Sequence, residues 1–279
     1  MQKKWMICFL ISGIALLMNA QTTDDSDFPT TRSWLDGGGQ DHFVSSPPLP
    51  YAPVREADIL WEKRVWRVID TREKMNMALR SPGNSLFEAI EQGLEQGAIN
   101  AYAPQSDRFT EPVSTNDVWA SLNQVDTVWV IDPVTGDYQQ QIVTSEFDPD
   151  RIKRWRVQEV WYQDTRYSTM QVRIIGIAPL IETVTENEQA SYETPIFWIN
   201  YAEARPWLAQ YAVASSENDA NRMSWEDLFS MRRFSSYVYQ ESDMLGRRLK
   251  DYLAGEDLLQ HSRKIDRTIQ NREMDMWSY

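Results

Sequence analysis

Arg55–Asn76, READILWEKRVWRVIDTREKMN, combines tryptophans, aliphatic residues and charges of alternating sign in a run without glycine or proline. Its periodicity decides how the fold is read. Ala57, Trp61, Val65 and Val68 recur at spacings of four, four and three, with Ile69 beside them, while Lys63, Arg64, Arg67 and Asp70 fall opposite. This spacing predicts an amphipathic helix with an apolar stripe against a core. A half-buried strand would alternate, and Val65, Trp66, Val68 and Ile69 do not.

Upstream, residues 21–53 are polar or turn-forming, with Gly37, Gly38 and Gly39 followed by Pro47-Pro48-Leu49-Pro50-Tyr51-Ala52-Pro53, which favours extended polyproline backbone. They read as an arm, either a linker or a segment that orders against a neighbouring subunit. Residues 1–20 have the form of an export signal: Lys3 and Lys4, an apolar stretch from Trp5 to Met18, then the small Ala20. That stretch is too short for a membrane span. Cys8, the only cysteine, would leave with it, so no disulfide is expected in the mature chain. The remainder, 54–279, is expected to be one domain, and 12 tryptophans with 12 tyrosines supply ample core material.

Downstream of the decisive run, Ser85 and Glu88 form a capping box for a second helix that Gly97 ends. Strands follow. Thr127 to Ile131 and Tyr138 to Thr144 flank a hairpin loop at 132–137, and Arg154 to Tyr162 with Ser168 to Ile177 flank Asp164-Thr165-Arg166. Trp155, Val157 and Trp161 alternate with Arg154, Arg156 and Gln158, the pattern of an antiparallel sheet covered on one face. Pro195 to Tyr201 reads as a further apolar strand. Ser224 and Asp227 cap a helix whose stripe would run through Leu228, Met231, Phe234 and Val238, and a last helix is expected from Asp257 to about Met276, with Ser262 and Arg272 interrupting its seam. The fold class is therefore α+β: a mainly antiparallel sheet flanked by helices, with an extended N-terminal arm and a C-terminal helix.

Composition narrows function. A formal charge of −13, made more negative by loss of Lys3 and Lys4, disfavours nucleic acid and anionic membranes as partners. With only His42 and His261 and no mature cysteine, a zinc site of nitrogen and sulfur ligands cannot be assembled from one chain. Neither a dinucleotide nor a nucleotide-phosphate glycine motif is present. Neither histidine sits where it would serve a serine nucleophile. Glu182, Glu186 and Glu188, near stacking tryptophans, keep open an alternative: a periplasmic carbohydrate-binding or carbohydrate-active protein. Their setting, Glu182 to Gln189, reads better as a solvated loop. The expectation is no enzyme, no catalytic residue, no metal and no cofactor.

The Arg55–Asn76 run resembles the GldN family, called PorN in non-gliding relatives, and the similarity resumes in four further blocks: Arg154–Leu180 (RWRVQEVWYQDTRYSTMQVRIIGIAPL), Pro195–Leu208 (PIFWINYAEARPWL), Ser224–Ser242 (SWEDLFSMRRFSSYVYQES) and Asp275–Tyr279 (DMWSY). The resemblance implies a non-catalytic structural component of the type IX protein secretion and gliding motility machinery. Such a protein would lie in the periplasm, peripheral to the outer membrane and without a span of its own. It would associate with a ring-forming outer-membrane lipoprotein of the GldK/PorK type, with copies of itself in a ring, and with an inner-membrane-anchored motor component of the GldM/PorM type. Tryptophan and arginine are the types that most often anchor interfaces. Trp61, Arg64, Trp66, Arg67 and Arg72, then Arg232 and Arg233, are therefore the expected partner-binding residues. Competing roles are core packing for the tryptophans and pairing with Glu62, Asp70 or Glu73 for the arginines.

Overall fold

In the computed structural model, which describes residues 47–131, 138–145, 147–166, 170–184, 191–214 and 223–277, Ile59–Asp70 is a β-strand of 12 residues. The helix expected over 55–76 does not form. Burial alternates through the first half, where Leu60, Glu62 and Arg64 are exposed and Ile59, Trp61 and Lys63 are partly covered. From Val65 onward nearly every residue is covered whichever face it points to, so the stretch reads as continuous rather than alternating. Arg67 and Asp70, which looked like one polar helix face, are instead buried and paired on opposite faces of the sheet. Valine, isoleucine and tryptophan also fit a pleated surface better than a helix.

The elements in order are β1 (Ile59–Asp70), α1 (Leu86–Glu95), β2 (Ala101–Tyr102), β3 (Pro112–Val113), α2 (Thr115–Leu122), β4 (Gln124–Ile131), β5 (Tyr138–Ser145), β6 (Arg154–Asp164), β7 (Met170–Val184), β8 (Ser191–Pro195), β9 (Trp198–Asn200), α3 (Tyr201–Leu208), α4 (Trp225–Ser230), β10 (Tyr237–Glu241) and α5 (Gly255–Trp277). The main sheet is antiparallel with order β10-β1-β6-β7-β9-β2-β3, and β8 pairs with β7 beyond β9. Its spine is the β6–β7 hairpin with β1 alongside, where Ile69 faces Trp155 and Arg67 faces Val157. β4 and β5 form a separate two-stranded sheet. The fold is α+β as expected. The expected export signal, the arm up to residue 46 and the hairpin loop 132–137 lie outside the described residues.

Local chemistry explains the helix boundaries. At α1, Ser85 Oγ accepts the Glu88 N–H at 3.1 Å and the Glu88 carboxylate accepts the Ser85 N–H at 3.1 Å. Gly97 follows the helix at φ +68°, a left-handed stop that suits glycine. Asn200 caps α3, so the expected strand to Tyr201 is confined to Trp198–Asn200 and Tyr201 opens a helix. The same reciprocal cap, Ser224 with Asp227, starts α4, but that helix ends at Ser230. Arg232 turns the chain at φ +55°, and Val238 lies in β10, so the stripe expected through Val238 is broken.

One face of the sheet carries two apolar clusters. Ile69, Trp155, Val157, Ile174 and Ile177 pack with α1, α3 and α4. Val65 and Val238, with Trp61 and Trp161, pack with Leu258, Ile265 and Ile269 of α5. Ser262 does not simply interrupt that helix seam; its Oγ accepts the Val238 N–H at 3.0 Å and ties α5 to the edge strand. The opposite face is not solvated, contrary to the one-sided cover expected from the alternation. Arg156 and Gln158 are buried there. Phe109 packs so closely over β7 that a Cβ on Gly176 would lie 2.4 Å from its ring. Tyr51 and Ala52 lie against β7 and α3: Arg173 donates to the Ala52 carbonyl and stacks on Tyr51, and Arg205 packs on the same ring at 4.0 Å.

Candidate functional site

β1 and β6 run antiparallel with Val65 opposite Glu159 and Arg67 opposite Val157, which sets Arg67 and Glu159 on one face a single rung apart. Glu159 is 0 % exposed. Its Oε2 accepts Arg67 Nε at 3.0 Å and Trp161 Nε1 at 3.0 Å, and its Oε1 accepts Arg232 Nη1 at 2.7 Å. Arg67 also donates to Asp266 of α5 at 2.5 Å, and Arg232 stacks on Trp161 at 5.0 Å. Two guanidiniums and two carboxylates thus form a balanced ionic row between the two apolar clusters. Arg67 and Arg232, both expected at a partner interface, are brought together inside the molecule.

Arg72 lies at the end of β1 and grips Asp70, whose Oδ1 accepts Arg72 Nε at 2.8 Å and the Arg72 N–H at 3.0 Å. Asp70 Oδ2 accepts Arg72 Nη2 at 2.5 Å and Arg154 Nε at 3.0 Å. These bonds, Arg72's foremost, hold the Asp70 carboxyl far below its ordinary value of 3.8. A depressed folded-state pKa contributes stability that is complete above the unfolded value and is lost as pH falls toward the folded one. Asp70→Asn should therefore lower the urea midpoint at pH 7, and its deficit against the natural chain should shrink as pH drops below about 3.8. Unfolding curves at pH 3 and pH 7 check this, and a deficit independent of pH would contradict it.

Arg64 and Arg233 are exposed, and neither side chain has a hydrogen-bond or ionic partner among the described residues. Arg64 is tied through its backbone to Ser242, whose N–H it accepts at 2.9 Å, and Met244 and Leu245 follow fully or largely exposed. Arg233 lies between exposed Met231 and Ser235. Ser235 exchanges hydrogen bonds with Asn76 at 2.9 Å each way, bringing up exposed Met75 and Met77. Each exposed arginine thus lies on or beside a segment that also carries exposed methionine or leucine, a composition suited to adaptable contacts. Trp61 is half-covered by α5, with Arg272 over its ring at 4.8 Å, and Trp66 donates Nε1–H to Asp107 at 2.6 Å.

The carboxylates weighed for sugar chemistry are not gathered into a site in the described residues. Glu182 lies near the end of β7, exposed and 3.9 Å from Lys153, and Glu186 and Glu188 lie outside the described residues. His261 of α5 sits edge-on to Tyr252, and His42 is outside the described residues. Glu159, Asp266 and Asp107 were not singled out from sequence. Glu159 sits in a strand of charged and apolar alternation, where nothing distinguishes a buried acid from a solvated one. Among the described residues no helix is long and apolar enough to cross a membrane. The family model described as "Gliding motility associated protein GldN" matches residues 54–278. No curated protein gives a significant match.

Proposed function

The chain belongs to the GldN family of gliding motility associated proteins, which makes it a component of the gliding motility and type IX secretion machinery, and from that premise we propose that it works there without catalysis, as a coupling piece in the periplasm. In this reading it associates with a ring-forming outer-membrane lipoprotein of the GldK/PorK type and with copies of itself, and links them to an inner-membrane motor component of the GldM/PorM type. The observation that carries the reading is an exposed arginine, Arg64, whose backbone is bonded to Ser242, just ahead of exposed Met244 and Leu245, on a sheet braced from within. A protein that transmits load needs contact surfaces on rigid elements, and β1 is held along both edges by β6 and β10.

Arg67 and Arg232 serve this role indirectly, by bracing, whereas Arg64 and Arg233 meet partners. Arg64→Glu, alone and with Arg233→Glu, should change stability by no more than about 0.5 kcal/mol, as surface substitutions do. Co-purification with the co-expressed lipoprotein should drop at least tenfold, the loss of a contact worth about 1.4 kcal/mol. Retained co-purification by a folded double variant would place the interface elsewhere. Arg67→Ala supplies the contrast, since it should reduce stability whether or not binding survives.

A further inference from the structure

On the face of the sheet away from α5, a cavity of about 530 Å³ opens between β1, β6, β8 and β10, with Arg156, Arg248, Trp66, Trp198, Thr194 and Pro195 in its lining. Arg156 is only 7 % exposed, yet its Nε has no hydrogen-bond partner, and no carboxylate pairs with it among the described residues. An arginine stays charged at any physiological pH. What it does contact is the Tyr239 ring, at 4.5 Å, and Arg248 approaches the same ring at 5.9 Å.

Among the described residues, none of the acids nearby pairs with the Arg156 side chain, and Asp251 accepts only the backbone N–H of Arg248, at 2.9 Å. Asp107, in the lining, accepts Trp66 Nε1 at 2.6 Å and Gln158 Nε2 at 3.2 Å, and Glu193 is taken by Arg154. Two guanidiniums and one carboxylate, which takes only neutral donors, therefore share the lining, and its net charge stays positive. A buried charge left unpaired is costly, and such a charge in a concave site marks a place for a ligand of opposite sign. The volume falls within the range of about 300 to 1,000 Å³ typical of ligand sites.

We propose that this cavity binds a carboxylate carried on an apolar or aromatic body, the carboxylate between Arg156 and Arg248 and the body against Trp66, Trp198 and Pro195. A guanidinium matches a planar carboxylate through two parallel hydrogen bonds. The Asp107 carboxylate in the lining disfavours a doubly charged oxyanion such as phosphate, and the indole and proline walls favour an attached apolar group. The carboxylate can come from a free acid or from an acidic side chain of a polypeptide. The proposal does not depend on the coupling role above.

The test uses the full chain and follows the Trp66 indole N–H signal, assigned by its loss in Trp66→Phe, during titration with four probes: benzoate, benzamide, inorganic phosphate and the blocked peptide acetyl-Ala-Glu-Phe-Ala-amide. Benzoate should shift the signal saturably and uncharged benzamide should not. Affinity should fall at least tenfold in Arg248→Ala, an exposed residue whose loss leaves the fold intact, and below detection in Arg156→Met. A peptide that binds more tightly than benzoate identifies a polypeptide source; a weaker one identifies a free acid, and both support the site. The proposal is overturned if no carboxylate binds, if benzamide matches benzoate, if phosphate binds more tightly than benzoate, or if Arg248→Ala leaves benzoate affinity unchanged.

Discussion

Glu159→Ala is expected to lower the free energy of unfolding by about 3 to 5 kcal/mol, the range for breaking a buried ion pair by removing one partner. The loss arises from what stays behind. Arg67 and Arg232 lose the carboxylate that both address, and the Trp161 indole N–H loses its acceptor. Asp266 still holds Arg67, but among the described residues Arg232 is left with only the Trp161 and Phe234 rings. Arg232→Gly provides a control. That residue sits at φ +55°, where glycine fits better by about 1 kcal/mol, yet the substitution should still destabilise because it strips Glu159 of one partner. Replacing Arg67, Glu159 and Arg232 together with Met, Leu and Met should recover most of the loss, since well-packed apolar groups often match a buried ionic cluster. Urea unfolding with an unchanged slope gives the readout. A deficit below about 1 kcal/mol for Glu159→Ala would show that the cluster contributes no more than an ordinary hydrogen bond.

The same cluster explains why the periodicity of β1 points to a helix while its neighbours are legible in the sequence. The β6–β7 hairpin announces itself because Trp155, Val157 and Trp161 alternate with polar residues and turn chemistry separates two runs, and the pairing forms as that pattern implies. The start of α1 is written locally in Ser85 and Glu88, a cap that depends on nothing distant. In β1 the period of two is present as Trp61, Lys63, Val65, Arg67 and Ile69, but two of those five are cations. A cation counts as solvent-facing until its partner is known, and the partners, Glu241 for Lys63 and Glu159 with Asp266 for Arg67, are at least 92 residues away in sequence. Tertiary pairing thus overrode a helical spacing that was real but incidental. The cavity was illegible for a related reason: Arg156 sits in an alternating strand, while Asp107 and Arg248 come from irregular segments with no motif. Of the residues expected to meet partners, sequence could identify arginine-rich stretches, but only the register of β1 against β6 separates inward Arg67 from outward Arg64.

Because the ionic row divides the apolar layer, the α5 side should open without the rest, and Ile265→Ala with Ile269→Ala should make it do so. Both isoleucines are buried in the smaller cluster, and each truncation costs about 2 to 5 kcal/mol when the cavity cannot collapse. Their effects will not simply add, since they share neighbours. Other contacts that hold α5 include the Val238 N–H to Ser262, Asp266 on Arg67, Leu258 and Leu249 in the cluster, His261 against Tyr252, and Arg272 over Trp61. Leu86, Phe87, Ile90 and Leu94 of α1 belong to the other cluster, with Trp155 and Trp225, and do not touch this set. Hydrogen exchange should therefore show protection lost over residues 255–277 and at Val238, whose N–H would lose its acceptor, while α1 remains protected, as for a sub-global opening. Equal loss of protection in α1 would mean that the two clusters unfold as one and that the ionic row is no boundary. If the opening is local, releasing α5 uncovers Trp61 and Trp161 and frees Arg67 from Asp266. The brace behind Arg64 would then loosen while the fold survives, so the doubly truncated variant should keep its α1 protection yet bind the proposed lipoprotein partner more weakly than the natural chain.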